Sequence, residues 1–416
     1  MSLLVKMSKA SPSYRIWALS TVNALVMLLI TFYWLSLPYT FGDEAFLIKW
    51  TALTKKSLLG IDPKPDPESV LFVDISESKT TLDQQNAFGE PSPYHRVVIT
   101  DRSQLAEFLA MIVPHRHETR LVLMDVLLDL PSEQDSVLQA VVDSLGNKIL
   151  GVTQVDTSGS ASPTVIHFEH QAIATYRSAQ ELFLKYPLLF SDSLPTVPLL
   201  MYEQLHKQAL KRKGGLYRFP RGVSLPAPIV DFKVRNSDFR TGYSLGGESN
   251  FTIYSMGDIL ESRAFMHPED QADFFQGKVV LIGDFRNDVH DTPFGKIPGL
   301  LVIYNAYLTL VGGENIVSFF WVILLLITYW ILSWRVFKDI DLEKPRWLVR
   351  LFKSKLGLWI LNTLDEVVIL ILLTIASYFL FNIHINVLIL LVYIKVVEYA
   401  WDRLPRFKSL MTKTAK

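Results

Sequence analysis

Hydrophobic positions are distributed along this chain in two different ways. Residues 16–37 (IWALSTVNALVMLLITFYWLSL) carry no charge, and neither do residues 316–334 (IVSFFWVILLLITYWILSW). Each run approaches or exceeds the roughly 20 apolar residues that cross a bilayer as a helix. Two shorter runs, 367–381 (VVILILLTIASYFLF) and 385–394 (INVLILLVYI), lie either side of a tight polar junction, NIHIN. Lipid tolerates only backbone that bonds internally, so this pair predicts a helical hairpin. The reading is four transmembrane helices, at 16–37, 316–334, 358–381 and 385–401. The first is expected to be an uncleaved anchor: its apolar core is too long for a signal peptide, and no A-x-A site follows it.

Between the first two runs the pattern changes to short apolar segments broken by turn residues. Residues 46–59 space Phe46, Leu47, Trp50, Leu53 and Leu58 at helical intervals, and the prolines of GIDPKPDPES end that helix. VLFVDI (70–75), RLVLMDV (120–126), KILGV (148–152) and KVVLIG (278–283) read as buried strands, and PIVDF (228–232) as another. Helices are predicted after a Thr100 or Asp101 cap up to Pro114, in EQDSVLQAVVDSLGN up to Gly146, over 197–210, at the start of YSMGDIL, and over 299–313. Residues 155–166 and 211–225 read as loops. Strand–helix alternation of this kind favours an α/β domain, with a mixed, partly parallel sheet covered by helices.

Lysines and arginines orient the chain. Lys6, Lys9 and Arg15 precede the first run. Seven basic residues lie between the second and third runs, and Arg403, Arg406, Lys408, Lys413 and Lys416 follow the fourth. With four spans all three groups fall on one side, the cytoplasmic one. The expected order is a cytoplasmic end (1–15), an extracytoplasmic domain (38–315), a basic cytoplasmic loop with an amphipathic helix (335–357), and a cytoplasmic tail (402–416). The expected place is a bacterial inner membrane, with the domain in the periplasm.

Composition adds exclusions. Formal net charge is zero, which argues against a nucleic-acid partner. Cysteine is absent, so disulfides, a thiol nucleophile and zinc–thiolate ligation are excluded.

The stretch with most chemistry is GKVVLIGDFRNDVHDTPFGKIPG (277–299). A strand ending in Gly283 can present a ligand at its carboxyl end. The phosphate-cradling patterns G-x-G-x-x-G and G-x-x-x-x-G-K-[ST] are missing here. Asp284, Asp288, His290 and Asp291 could offer oxygen and nitrogen to a divalent ion, but at no EF-hand spacing. The local reading is an acidic turn whose Asp side chains bond backbone N–H groups, stiffened by Thr292–Pro293. His115 and His117 read as exposed residues after a helix end.

These segments carry a resemblance. KVVLIGDFRNDVHDTPFGKIPGLLVIYNAYLTLVGGENI looks like the carboxyl end of the CHASE type-two family of extracellular sensor domains: Ile282–Gly283, then Asp291, Thr292–Pro293, Pro298–Gly299, and Asn305 on a helix. VLFVDIS with Asp74, PYHR with Arg96, LVLMDVLL with Asp125 and the helix led by Asp135 resemble its amino half. One span before the domain and three after is also typical of that family. The chain differs where family members often carry His two residues before the Asn (here Ile303), and it lacks their Asp-x-Asp-Gly turn. Only about 16 residues follow Ala400, too few for the kinase or cyclase domain that family members commonly carry.

The resemblance implies a non-enzymatic membrane sensor or regulatory subunit that binds a ligand or protein outside and acts on a separate partner through its helices. A structural subunit of an envelope complex, docking through the outer domain, is the alternative. No cofactor and no metal are expected, and homo-oligomerisation stays open. Asp74, Arg96, Asp125, Gly283, Asp284, Asp291 and Asn305 are the ligand-binding or loop-structuring candidates. Asp365, Glu366, Lys395 and Glu398 are candidates for gripping a partner within the membrane. Gly312 and Gly313 are a candidate hinge, or a helix cap, between domain and bundle.

Overall fold

Residues 12–37, 42–85, 91–156, 159–175, 183–190, 194–213, 216–239, 251–338 and 355–405 are described by the computed structural model. Helices α1 (Pro12–Ser36) and α2 (Gly42–Leu59) lead into strand β1 (Val70–Asp74) and a hairpin, β2 (Lys79–Gln85) with β3 (Pro91–Thr100). Then come α3 (Arg102–Ile112), β4 (Leu121–Met124), α4 (Asp135–Leu145), β5 (Ile149–Thr153), β6 (His170–Ile173) and α5 (Val197–His206). A three-stranded meander follows, β7 (Lys211–Lys213), β8 (Leu216–Phe219) and β9 (Gly222–Ser224). Next are β10 (Ile253–Ser255), α6 (Met256–Ser262), α7 (Pro268–Phe275), β11 (Val279–Gly283), and the hairpin β12 (Val289–Thr292) with β13 (Gly295–Pro298). The last helices are α8 (Gly299–Gly312), α9 (Phe319–Lys338), α10 (Lys355–Phe381) and α11 (Val387–Arg403).

The apolar runs at 70–75, 120–126, 148–152 and 278–283 become neighbouring strands of one sheet, in the order β10-β1-β11-β4-β5-β6. Every neighbouring pair is parallel. Strands of a parallel sheet are covered on both faces, which is why these runs are apolar without alternation. The two faces still separate by period two. Val70, Phe72, Leu123 and Leu281 pack on one side with α5 and α8. Leu71, Val73, Val122 and Ile282 pack on the other with α3, α4, α6 and α7. Nearly all of α8 is buried, which accounts for its apolarity on every side.

The sheet is therefore wholly parallel where a mixed one was expected. PIVDF contributes only a single bridge, Lys185 to Ile229, and no strand. The loop expected at 211–225 is the meander β7–β9, whose strands of three or four residues are too short to show a period. The helix expected over 197–210 stops at His206, where Lys207 takes a left-handed conformation. Asp101 is the cap of α3, accepting from Ser103 N at 2.9 Å and Gln104 N at 3.3 Å. Most of the basic loop expected at 335–357, with its amphipathic helix, lies outside the described residues.

Among the described residues two helices, Ser13–Ser36 and Phe319–Lys338, are long and apolar enough to cross a membrane. They pack with α10 and α11 around Met27, Trp321, Tyr329, Leu370 and Leu390. Polar side chains tie the four together. Asn23 Nδ2 donates to Ser333 Oγ at 2.8 Å, and Tyr393 Oη donates to Asn23 Oδ1 at 2.7 Å. Trp321 Nε1 donates to Ser377 Oγ at 2.6 Å. The outer domain grips this bundle: buried Lys185 donates to the carbonyls of Leu37 (3.2 Å) and Trp34 (3.4 Å) at the carboxyl end of α1. A cation is favoured there by the helix dipole.

Candidate functional site

Parallel pairing brings the carboxyl ends of β1, β11 and β4 together, with Asp74 beside Gly283. An acidic residue stands at this edge on each: Asp74 ends β1, Asp284 follows β11 and Asp125 follows β4. Asp74 Oδ1 accepts from Ser76 N (3.0 Å) and Phe285 N (3.1 Å), joining the turn after β1 to the turn after β11. Asp284 Oδ1 accepts from Ser76 Oγ (2.8 Å), Arg286 N (3.1 Å) and Asn287 N (2.8 Å), and Lys79 Nζ lies 3.0 Å from its Oδ2. Burial acts to raise the Asp284 pKa. The hydrogen bonds from Asn287, Ser76 and Lys79 outweigh it and hold the carboxyl well below the usual range.

Asp125 is different. Its backbone N–H donates to Ile282 O at 2.8 Å, which fixes it at the end of β4. Its carboxyl lies in the wall of a crevice. Burial first, then the nearby charge of Asp288, push it up to about 7, with His290 acting against them. Asp288 Oδ1 lies 3.0 Å from His290 Nε2, and Asp288 O accepts from Gly299 N at 2.8 Å. Gly299 opens α8, and a Cβ there would fall 2.2 Å from Asp288 Oδ2 and 2.9 Å from His290 Nε2. Only glycine lets the Asp288–His290 pair press against the start of that helix.

The crevice has a volume of about 790 Å³. Its polar wall includes Lys79, Asp125, Asp129, Asp284, Asp288 and His290. Its apolar wall is formed by Phe183, Tyr186 and Leu127, with Val302 and Ile303 of α8. A crevice outside the carboxyl ends of parallel strands is where open α/β sheets bind ligands.

The other candidates fall elsewhere. Asn305 is fully buried and structural: its Oδ1 accepts from Val234 N (2.8 Å), and its Nδ2 donates to Val234 O (2.7 Å) and Leu301 O (2.8 Å). Arg96 is exposed on β3, opposite Asp83. Asp291 has an exposed side chain and contributes through its carbonyl, which accepts from Phe183 N at 2.7 Å. The acidic turn is held by Asp284, and the next turn by Thr292, whose Oγ1 donates to Gly295 O (2.7 Å) and accepts from Phe294 N (3.2 Å). Asp135 leads α4 and receives buried Arg102, with its Oδ2 accepting from Ser132 N at 2.7 Å. Among the described residues no group of three or more acidic or histidine side chains is placed to hold a metal ion.

The candidates in the helix bundle are drawn into ion pairs. Arg335 Nη2 lies 3.6 Å from Asp365 Oδ2, Lys395 Nζ 2.6 Å from Glu366 Oε2, and Lys395 Nζ 2.8 Å from Glu398 Oε2. These contacts link α9 to α10 and α10 to α11. Gly312 ends α8 and Gly313 is its left-handed cap, with φ 75°.

Lys79, Asp129, Phe183 and Tyr186 were not singled out from the sequence. They lie on segments whose placement over the strand ends is set by tertiary packing. Ser76, which bonds both acidic turns, had one available signal, its place two residues after Asp74.

The family model of the CHASE2 domain matches residues 21–337, from within α1 to within α9. The chain belongs to this family of extracellular sensor domains. No curated protein and no solved structure matches it.

Proposed function

We propose that this protein is a multi-pass inner-membrane sensor, without catalytic activity of its own, that reads a ligand in the crevice and passes the result to a separate partner through four transmembrane helices. The observation that carries this is the course of α8. Its first turns, Gly299 to Ile303, line the crevice, and its far end continues through Gly313 and five further residues into α9. A ligand that favours one position of α8 therefore acts on a membrane helix only six residues further along the chain. Four spans are supported by the bundle's outer surface. Leu25 and Leu29 of α1, Ile327 and Ile331 of α9, Leu372 and Leu380 of α10, and Val392 and Val396 of α11 are all exposed, as side chains that meet lipid are.

The test is purification of the intact protein from its host membrane in mild detergent, with Glu314→Gln as the perturbing variant. A sensor brings down a partner with a measurable output, and the variant shifts that output severalfold while the partner still co-purifies. If the partner stays bound and its activities are identical with both proteins, the docking-subunit reading replaces this one.

A further inference from the structure

We infer that the crevice selects a small organic cation: a positively charged nitrogen on an apolar body, with Asp125 as the group that meets the charge. This rests on the sensor reading above and assigns its ligand class.

The first argument is charge. One lysine faces four aspartates around the crevice: Lys79 against Asp125, Asp129, Asp284 and Asp288. Lys79 is committed to Asp284 at 3.0 Å. Asp288 is committed to His290 at 3.0 Å. Asp125 makes no side-chain hydrogen bond or ion pair among the described residues, and it lies deeper than exposed Asp129. A half-buried carboxylate without a partner, beside a second aspartate, is costly, and a ligand that brings a cation lowers that cost.

The second argument is that the opposite preference is already satisfied from within. The amino end of α8 opens at this crevice and would favour an anion. Asp288 occupies that place: its carbonyl accepts from Gly299 N, and its carboxylate lies where a Cβ on Gly299 would be. An incoming carboxylate or phosphate would find the helix terminus taken and three further aspartates around it. The third argument is the apolar wall of Phe183, Leu127, Val302 and Ile303, which suits a hydrocarbon or aromatic body and gives a bare metal ion nothing to bind.

Protonation follows from the same geometry. Asp125 is pushed up to about 7 by burial and by Asp288. The charged groups around it are Asp288 and His290 beside α8, Lys79 on β2, Asp284 after β11, and Asp129 on its own loop. A cation needs the ionised form, so affinity rises as pH passes upward through that value.

Tryptamine is the probe, with tryptophol and indole-3-acetate as its neutral and anionic matches, titrated by calorimetry into the full chain in detergent. Leu127→Trp, at an exposed position of the rim, blocks the crevice and identifies binding there. Tryptamine is expected to bind the wild type, to tighten from pH 6 to pH 8, and to bind Asp125→Asn at least about tenfold more weakly, the loss of one charge-assisted contact. Indole-3-acetate binding as tightly as tryptamine, and sensitive to Leu127→Trp, overturns the cation assignment and leaves the crevice reading standing. Tryptamine affinity unchanged by Asp125→Asn, or flat between pH 6 and 8, removes Asp125 from the role; the pH series needs only the wild type, so it decides even if the variant fails to fold. If Leu127→Trp changes the binding of no probe, the inference and the crevice reading fall together.

Discussion

Lys233 Nζ and Glu314 Oε1 lie 2.5 Å apart at the point where α8 gives way to the chain entering α9. Both side chains are largely buried, and Lys233 is also the main charge offsetting the burial of Asp231. Glu314 has a raised pKa, because burial outweighs the help it receives from Lys233. At the junction between the sheet domain and the helix bundle one lysine thus serves two carboxyls. Lys233→Met is expected to destabilise the outer domain by roughly 1–3 kcal/mol, the cost of leaving a buried group unpaired. Chemical denaturation of the detergent-solubilised protein measures it, and an unchanged midpoint would show that the pair contributes nothing.

Asp284, in the turn after β11, and Asp291, on β12, separate structural from exposed acidity. Asp284→Ala removes the acceptor for Arg286 N, Asn287 N and Ser76 Oγ, and is expected to cost about 2–3 kcal/mol. Asp291→Ala removes an exposed side chain and should stay within about 0.5 kcal/mol of wild type. Melting of the two variants side by side decides the matter. The reverse order would mean that the turn hangs on Asp291.

Asn305→Ala orphans the N–H and the carbonyl of Val234 and leaves a void inside α8. The expected loss is about 2–5 kcal/mol, large enough to threaten folding. Protease resistance of the outer domain in membranes is the readout.

The pH dependence of stability has a definite sign at Asp125. Its folded pKa, about 7, lies above the ordinary value near 4, so the folded state holds a proton that the unfolded state has released between those limits. The stability this group provides is complete below about pH 4 and is lost as pH rises through 7. Asp125→Asn should therefore gain in melting temperature over wild type as pH goes from 5 to 8. A constant difference across that range would place the Asp125 pKa elsewhere.

Gly313 has φ 75°, and a Cβ there would meet nothing closer than 3.8 Å. Gly313→Ala therefore tests backbone conformation alone and should cost about 1–2 kcal/mol. No cost would mean that the residue leaves the left-handed region freely, as a hinge does.

A reporter fused after Lys416 should be cytoplasmic, and one inserted at Gly159 exported. An exported reporter at Lys416 would contradict the four-span topology.

What the sequence determined by itself was whatever depends on local period and length. Residues 16–37 and 316–334 declared helices because an uncharged run of that length has few other uses. The apolar runs of β1, β4, β5 and β11 declared a buried sheet, and Asp101, Gly146 and Pro114 marked helix ends, because caps and breakers act within a few residues. The edge strands β6 and β10 were illegible: at four and three residues they take their conformation from the neighbour they pair with. So was the insertion of β11 between β1 and β4, since strand order is set by which buried faces fit together. The candidate site divides the same way. Asp74, Asp125 and Asp284 could be named because each follows an apolar strand. That Asp284 is fully bonded while Asp125 lacks a partner could not be read from sequence. Hydrogen-bond supply depends on Ser76 and Lys79 arriving from the segment after β1 to join Asn287 of the same turn, and only the folded chain brings them to one carboxylate and not to the other.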